Sequence, residues 1–394
     1  MPCQLGITSM SLGWAAAGHQ IEHKLELAQQ YGYKGIELFW DDLRDLALRR
    51  FKQTTEDHKL TDPSSEPSHA AQVAAAHHIR QMCQNLDIFI ICLQPFLGYE
   101  GLKDPVAKQK LMDKLHRWFD LAHILETDMI QIPSSFAPAE HMSDDLSVIV
   151  QDLQGIADLG AQQNPPLRFV HEALCFGTRV DLWETSWEVV KRVDRDNFGL
   201  CLDSFNIAGR IYADPTSHSC KTQDAEEAVK KSLELMVKDL DMKKVFYIQI
   251  VDAERLATPL NTQPFYDATL VPRMNWSRNC RLFYGEEDRG AFLPIREIAE
   301  TFFHKLGFEG WVSLELFNRR MSDKGADVPE ELARRGAISW GKLVRDLKLD
   351  VFPPPISISE EGSLVGEDSS VADEVSSPEG CELSDSSEEA FSPA

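Results

Sequence analysis

The 394-residue sequence has little of what several large classes of protein require. It holds 40 Lys and Arg against 63 Asp and Glu, for a net charge of −23. With no basic face to neutralise phosphates, no nucleic-acid partner is expected. No apolar run approaches the roughly 18 residues of a membrane span. The opening MPCQLGITSMSLG has neither the basic segment nor the long apolar stretch of a secretory leader, so no membrane association and a cytoplasmic location are expected. The cysteines are 3, 83, 92, 175, 201, 220, 280 and 381, and no two form Cys-x-x-Cys. Cys92, Cys175 and Cys201 fall in or beside apolar strand-like runs, the setting of buried reduced thiols. The first such run leads into TSMSLGW rather than a Gly-x-Gly-x-x-Gly turn, which removes the signature of a dinucleotide cofactor. From residue 351 onward Lys and Arg are absent altogether, while 11 Asp and Glu remain.

That last absence divides the chain. Residues 1–350 read as one folded domain and 351–394 as an acidic, Ser-rich tail whose composition cannot bury enough apolar surface to order itself. Without the tail the net charge is −12. With 43% hydrophobic and 9% aromatic residues, the remainder has ample material for a large core.

What is present is a rhythm. Short apolar, strand-type runs recur at 4–9, 35–40, 87–96, 128–135, 167–174, 198–205, 245–253 and 310–317, eight in all. Amphipathic segments separate them, among them 21–33, 105–126 and 232–242, and a last one covers 329–349. Strand–helix alternation with near-continuous apolar strands indicates a parallel sheet covered by helices. Eight units over about 350 residues predict an α/β protein, a (β/α)8 TIM barrel. In such barrels chemistry is built at the C-terminal strand ends, which carry Glu37, Gln94, Ser134, Glu172, Asp203, Gln249 and Glu315.

The last four of these decide the reading. Glu172, Asp203, Gln249 and Glu315 end four consecutive strands, so three carboxylates and an amide oxygen converge on one mouth. Carboxylates that close repel, and without a cation at least one takes up a proton. A divalent metal removes the difficulty, and all-oxygen ligands suit a hard ion, Mg²⁺ or Mn²⁺, better than zinc. Arg210 follows Asp203 in LDSFNIAGR, and Arg278 and Arg281 follow Ser277 in the long loop after the seventh strand. Guanidinium groups clamp carboxylates in bidentate fashion, so a small carboxylated substrate is expected.

The quartet on this barrel resembles the sugar phosphate isomerase/epimerase, or xylose isomerase-like, superfamily. More narrowly, ITSMSLG (7–13), YGYKGIELF (31–39), LQPF (93–96), HEALCFG (171–177), LDSFNIAGR (202–210), IQIVDAE (248–254) and SRNCRLFYGE (277–286) are similar to the fungal 3-dehydroshikimate dehydratases of quinate catabolism. The resemblance spans residues 4–345. It implies a carbon–oxygen lyase that converts 3-dehydroshikimate to protocatechuate and water with a divalent metal. It places Glu172, Asp203, Gln249 and Glu315 on the metal, Ser277 and Arg281 with the substrate, and Gln94 on the pocket wall. Bacterial relatives commonly carry His three residues after the metal Asp; here that position is Asn206, which cannot take up a proton near neutral pH. Asn206 is placed with Arg210 among the substrate-binding residues.

The reaction needs a base near C6, an acid near the C5 oxygen and a cation for the ring carboxylate, here Arg281 or Arg210. For the base, Glu37 is the first candidate and His171 the second, although alternation beside Glu172 turns His171 away from the metal. The alternative is a metal-dependent sugar isomerase or epimerase of the same superfamily, which usually has His where Gln249 stands and needs no carboxylate clamp. Twelve His and a net −23 speak against a multi-zinc endonuclease with a basic groove. An inactive barrel acting as a binding module would not need the intact quartet. Oligomeric state is open, a homo-oligomer included.

Overall fold

The computed structural model describes residues 2–52, 66–261, 266–267 and 269–358. All eight expected strands form: β1 (Gln4–Thr8), β2 (Gly35–Phe39), β3 (Phe89–Gln94), β4 (Met129–Pro133), β5 (Arg168–Glu172), β6 (Phe198–Asp203), β7 (Val245–Gln249) and, after a small ribbon of β8 (Asp252–Ala253) and β9 (Arg281–Leu282), β10 (Trp311–Leu314). The eight long strands close a parallel barrel in the order β1-β10-β7-β6-β5-β4-β3-β2, while β8 and β9 pair antiparallel outside it. β1 closes the ring by pairing both β2 and β10.

The strands are apolar on both faces because helices cover the outside and side chains fill the inside. Three of the four helical segments named from the sequence begin within a residue of the expected start, as Ile21–Gln30, Pro105–Leu125 and Val328–Leu347. The segment expected at 232–242 is instead Ala225–Asp239, because its polar first two turns still present Ala225 and Val229 to the core. Asp104 caps its helix, accepting from the Val106 N–H at 2.9 Å, and Pro105 fits the first turn, where no N–H is needed.

The ITSMSLG stretch ties the first barrel strands to the last. Ser11 Oγ donates to the Leu316 carbonyl at 3.1 Å and accepts from the Leu316 N–H at 2.9 Å. Ser9 Oγ donates to Asp42 at 2.6 Å and accepts from the Phe39 N–H at 2.9 Å. The other oxygen of Asp42 meets Lys24 Nζ at 2.6 Å, a pair buried from solvent. These bonds fix the mouths of β1, β2 and β10 relative to one another. All seven described cysteines are buried and free. No described helix is long and apolar enough to cross a membrane. Residues Met1–Ile356 form one compact unit. Of the tail expected at 351–394, Val351 bridges to Cys3, and residues 359–394, Cys381 among them, lie outside the described residues.

Candidate active site

Glu172, Asp203 and Glu315 are brought together at the barrel mouth, each offering a carboxylate oxygen within 4.8 Å of the others. Each stands at or next to a strand's C-terminal end, and all three are almost fully buried. Asp203 also caps the following helix, Ser204–Ile211, accepting from the Phe205 N–H at 2.8 Å. One oxygen therefore starts the helix while the other faces the cluster. That is why an apolar strand ends in a carboxylate.

Buried carboxylates this close resist ionisation. Burial pushes Glu172 well above the carboxylate range, with Glu315 and Asp203 adding to the shift. Asp203 is raised by burial against the opposing pull of Arg281. Glu315 is raised to about 8, again by burial first. A bound cation would reverse this by supplying the missing positive charge.

Gln249 is the test of whether a cation fits. Its Nε2 donates to both oxygens of Glu37, at 3.1 and 3.0 Å. Its Oε1 is buried with no hydrogen-bond partner. A fully buried amide oxygen without a donor is costly. It stands at the end of β7, in register with Asp203, and would add a fourth oxygen to the three carboxylates. The donor set fits a hard divalent ion.

Glu37, expected as the base, holds a different position. It lies in the middle of β2 and accepts from Gln94 Nε2 at 2.9 Å, Tyr247 Oη at 2.8 Å and Thr8 Oγ1 at 3.1 Å, besides Gln249. A carboxyl group so fully engaged and shut off from the cavity anchors ligands rather than meeting substrate. His171 is also corrected. Because Glu172 faces inward, His171 faces the helices, where its Nδ1 lies 2.7 Å from Ser186 Oγ and its ring stacks on Phe198. Burial lowers it to about 4, so it stays neutral behind the strand.

Arg210 is likewise away from the cavity, its Nε bonded to Asp181 at 2.5 Å. Asn206, expected at the substrate, binds the ligands to each other: its Nδ2 donates to Glu172 at 2.7 Å and Asp203 at 2.6 Å, and its Oδ1 accepts from the Cys175 N–H. Its nitrogen thus ties two of the clustered carboxylates together while its oxygen holds the chain at Cys175. Gln94 does reach the cavity wall and donates to Glu315 at 3.1 Å.

Arg281 crosses the mouth. Its Nη1 donates to Asp203 at 2.9 Å and Glu315 Oε2 at 3.1 Å, and its Nη2 to Ser277 Oγ at 3.4 Å. The guanidinium packs over the rings of Phe205 and Phe317, 4.2 and 4.9 Å from their centroids. Asn318 accounts for its placement, donating to the Arg281 carbonyl at 2.8 Å. Sequence reasoning missed Asn318, Tyr247, Thr8 and Gln131, whose Nε2 donates to Glu172 at 2.7 Å. Gln131 and Thr8 had a signal: each is a polar side chain facing inward in an otherwise apolar strand.

Above the cluster opens a cavity of about 370 Å³, walled by Trp14, Phe39, Trp40, Phe96, Phe136, Phe176 and Phe317 with Gln94, Gln131, Glu172, Ser277, Arg278, Arg281 and Glu315. Trp14, Phe39 and Phe317 meet edge to face, with centroids 6.1 to 6.4 Å apart. The wall suits a flat ring with polar groups at its edge. Gly177, in HEALCFG, is required by close approach, since a side chain there would strike the Val180 carbonyl and Ser134 Oγ. A larger cleft of about 890 Å³ is lined by Arg319, Arg320, Arg335, Glu254, Glu331 and other charged residues. Its charges pair with one another, as in Arg319–Glu254 at 2.6 Å and Arg320–Glu331 at 2.7 Å, and it lacks the carboxylate cluster.

Fold and site together define a (β/α)8 barrel with a buried cluster of three carboxylates at its C-terminal mouth. A family model described as xylose isomerase-like TIM barrel matches residues 25–342, and the chain belongs to that family. It is 56% identical over 360 residues to the 3-dehydroshikimate dehydratase of Neurospora crassa, covering 91% of this chain and 98% of that one. It is 27% identical over 311 residues to the 3-dehydroshikimate dehydratase of Pseudomonas aeruginosa, covering 78% of this chain but 38% of that longer protein. Among solved structures, the IOLI protein with its bound zinc atom superposes with a TM-score of 0.60 at 17% identity, covering 87% of this chain and 99% of that one. That likeness is one of fold.

Proposed function

We propose that the protein is a 3-dehydroshikimate dehydratase, a carbon–oxygen lyase yielding protocatechuate and water, with Mg²⁺ or Mn²⁺ as its cation. The observation that carries this is the buried cluster of Glu172, Asp203, Glu315 and the unpartnered Gln249 oxygen beneath an aromatic, guanidinium-bearing cavity. The 56% identity to the Neurospora dehydratase supports this substrate over the keto-sugars of other barrels.

Glu172, Asp203, Gln249 and Glu315 would hold the ion. When bound, it would act as a Lewis acid toward the substrate ketone, favouring loss of the vinylogously acidic C6 proton. The chain's own residues do the rest. Arg281, fixed by Phe205, Phe317 and Ser277, sets a permanent positive charge where negative charge develops on the ring oxygens. The aromatic walls hold the ring, while the C5 hydroxyl takes up a proton and leaves as water and the resulting dienone moves its C4 proton to the C3 oxygen to give the aromatic product. With Glu37 and His171 turned away, Asp41 and Lys114 are the titratable groups on the cavity wall outside the cluster and its arginines. Burial lowers Lys114 and raises Asp41, which moves both toward the range where a base or acid works. They are the residues to test for proton transfer.

The purified protein should turn 3-dehydroshikimate into a product with the aromatic absorbance of protocatechuate, and leave keto-sugars unchanged. Glu172→Ala, Asp203→Ala and Glu315→Ala should each abolish that turnover in a folded barrel. Turnover of keto-sugars with none of 3-dehydroshikimate would assign the site to isomerisation instead.

A further inference from the structure

We propose that Arg278 receives the carboxylate of the substrate and sets the preference for a carboxylated ring. This deepens the dehydratase reading and rests on it.

Three cationic side chains reach the cavity wall: Arg281, Arg278 and Lys114. Arg281 belongs to the metal end, because its Nη1 lies on Asp203 and Glu315 and its Nη2 on Ser277. In 3-dehydroshikimate the oxygens that need the cation are on C3 and C4, and the carboxylate is on C1, across the ring. With C3 and C4 turned to the cluster, the carboxylate points away from Arg281. Lys114 is already matched: its Nζ is 3.8 Å from Glu66 and sits over the rings of Trp40 and Trp118, at 4.7 and 5.6 Å.

Arg278 differs from both. It follows Ser277 on the helix Pro272–Asn279, and its guanidinium stacks 5.4 Å from the Phe136 centroid on the cavity wall. Asp267 acts on it electrostatically from a distance, but among the described residues no carboxylate oxygen lies within 4 Å of it and no acceptor takes its hydrogen bonds. Other arginines buried to a similar degree are engaged. Arg273 donates to the Gly209 and Ala213 carbonyls, and Arg335 holds Glu286 with two bonds of 2.7 and 2.9 Å. A half-buried guanidinium offers five donors in a planar fork, the complement of a carboxylate. Held by an aromatic face on a wall that leads to the metal end, that fork is oriented before any ligand arrives, which limits the ordering cost of binding.

The test compares two ligands that share the ring oxygens and differ in the carboxylate. Binding of protocatechuate and of catechol to the metal-loaded protein is measured by calorimetry, alongside KM and kcat for 3-dehydroshikimate. Arg278→Leu should weaken protocatechuate binding and raise KM by roughly 10- to 100-fold, with catechol binding unchanged and kcat altered much less. Arg278→Lys should restore part of the loss. Unchanged catechol binding also shows that the variant is folded. If Arg278→Leu keeps the wild-type KM and the wild-type preference for protocatechuate, Arg278 is not the anchor. The same holds if Lys114→Met loses that preference while Arg278→Leu does not. A wild-type protein that neither dehydrates 3-dehydroshikimate nor prefers protocatechuate overturns the dehydratase reading and this inference with it.

Discussion

Gln249 shows how much one side chain settles at this site. Its amide nitrogen lies on Glu37 and its oxygen has no partner, which supports the proposal that this oxygen is a metal ligand. Gln249→Leu should therefore have two effects. The metal-free protein should lose about 1–3 kcal/mol, because Glu37 stays buried with fewer donors. Affinity for Mn²⁺ should fall about 10-fold or more, since a ligand and its support go together. Calorimetric titration with Mn²⁺ checks this, and a variant with wild-type affinity would remove Gln249 from the ligand set. The meeting of Glu172, Asp203 and Glu315 was legible in the sequence because each ends or follows a barrel strand, and a parallel barrel gathers those ends at one mouth. Glu37, His171, Asn206 and Arg210 were misplaced for a common reason. Their roles depend on partners far along the chain: Tyr247 and Gln249 for Glu37, Ser186 for His171, Glu172 for Asn206, Asp181 for Arg210. No local pattern announces such a partner.

At the scale of elements, apolar strand runs and strand–helix spacing were enough to find all eight barrel strands, since a parallel barrel demands that rhythm. The irregular connection from β7 to β10 was harder to read. It carries Ser277, Arg278 and Arg281 on a short helix and a two-residue ribbon, held by Asp252, which accepts from the Ala253, Phe292 and Leu293 N–H groups. The loop after β3 is held by Glu100 in a similar way. Its Oε1 accepts from the Ser135 N–H at 2.5 Å, while its Oε2 is buried without a partner. Burial raises Glu100 from 4.5 to about 7. The folded state thus holds this proton more tightly than the unfolded chain. The stability it contributes is fully present below about pH 4.5, is lost as pH rises, and is gone above about 7. Between pH 4.5 and 8 the wild type should lose on the order of 3 kcal/mol that Glu100→Gln does not lose. Denaturant midpoints of the two proteins across that range test it; parallel curves would mean that Glu100 titrates as it would in water.

At the scale of the whole molecule, the net charge of −23 hides an opposite need inside the barrel. Three buried carboxylates share one mouth, and the Arg281 guanidinium is bonded to two of them. The fold brings these charges together, and the proposed divalent cation would complete them. Binding to the folded chain alone should then stabilise the protein in proportion to the logarithm of metal concentration. The most direct measurement is a titration of chelator-stripped protein with Mn²⁺ at pH 8, in the presence of 3-dehydroshikimate, following protocatechuate. No product should form in the stripped protein, and the rate should climb linearly to one ion per chain and then level off. A stripped protein that dehydrates its substrate at the full rate would contradict a metal centre at this mouth.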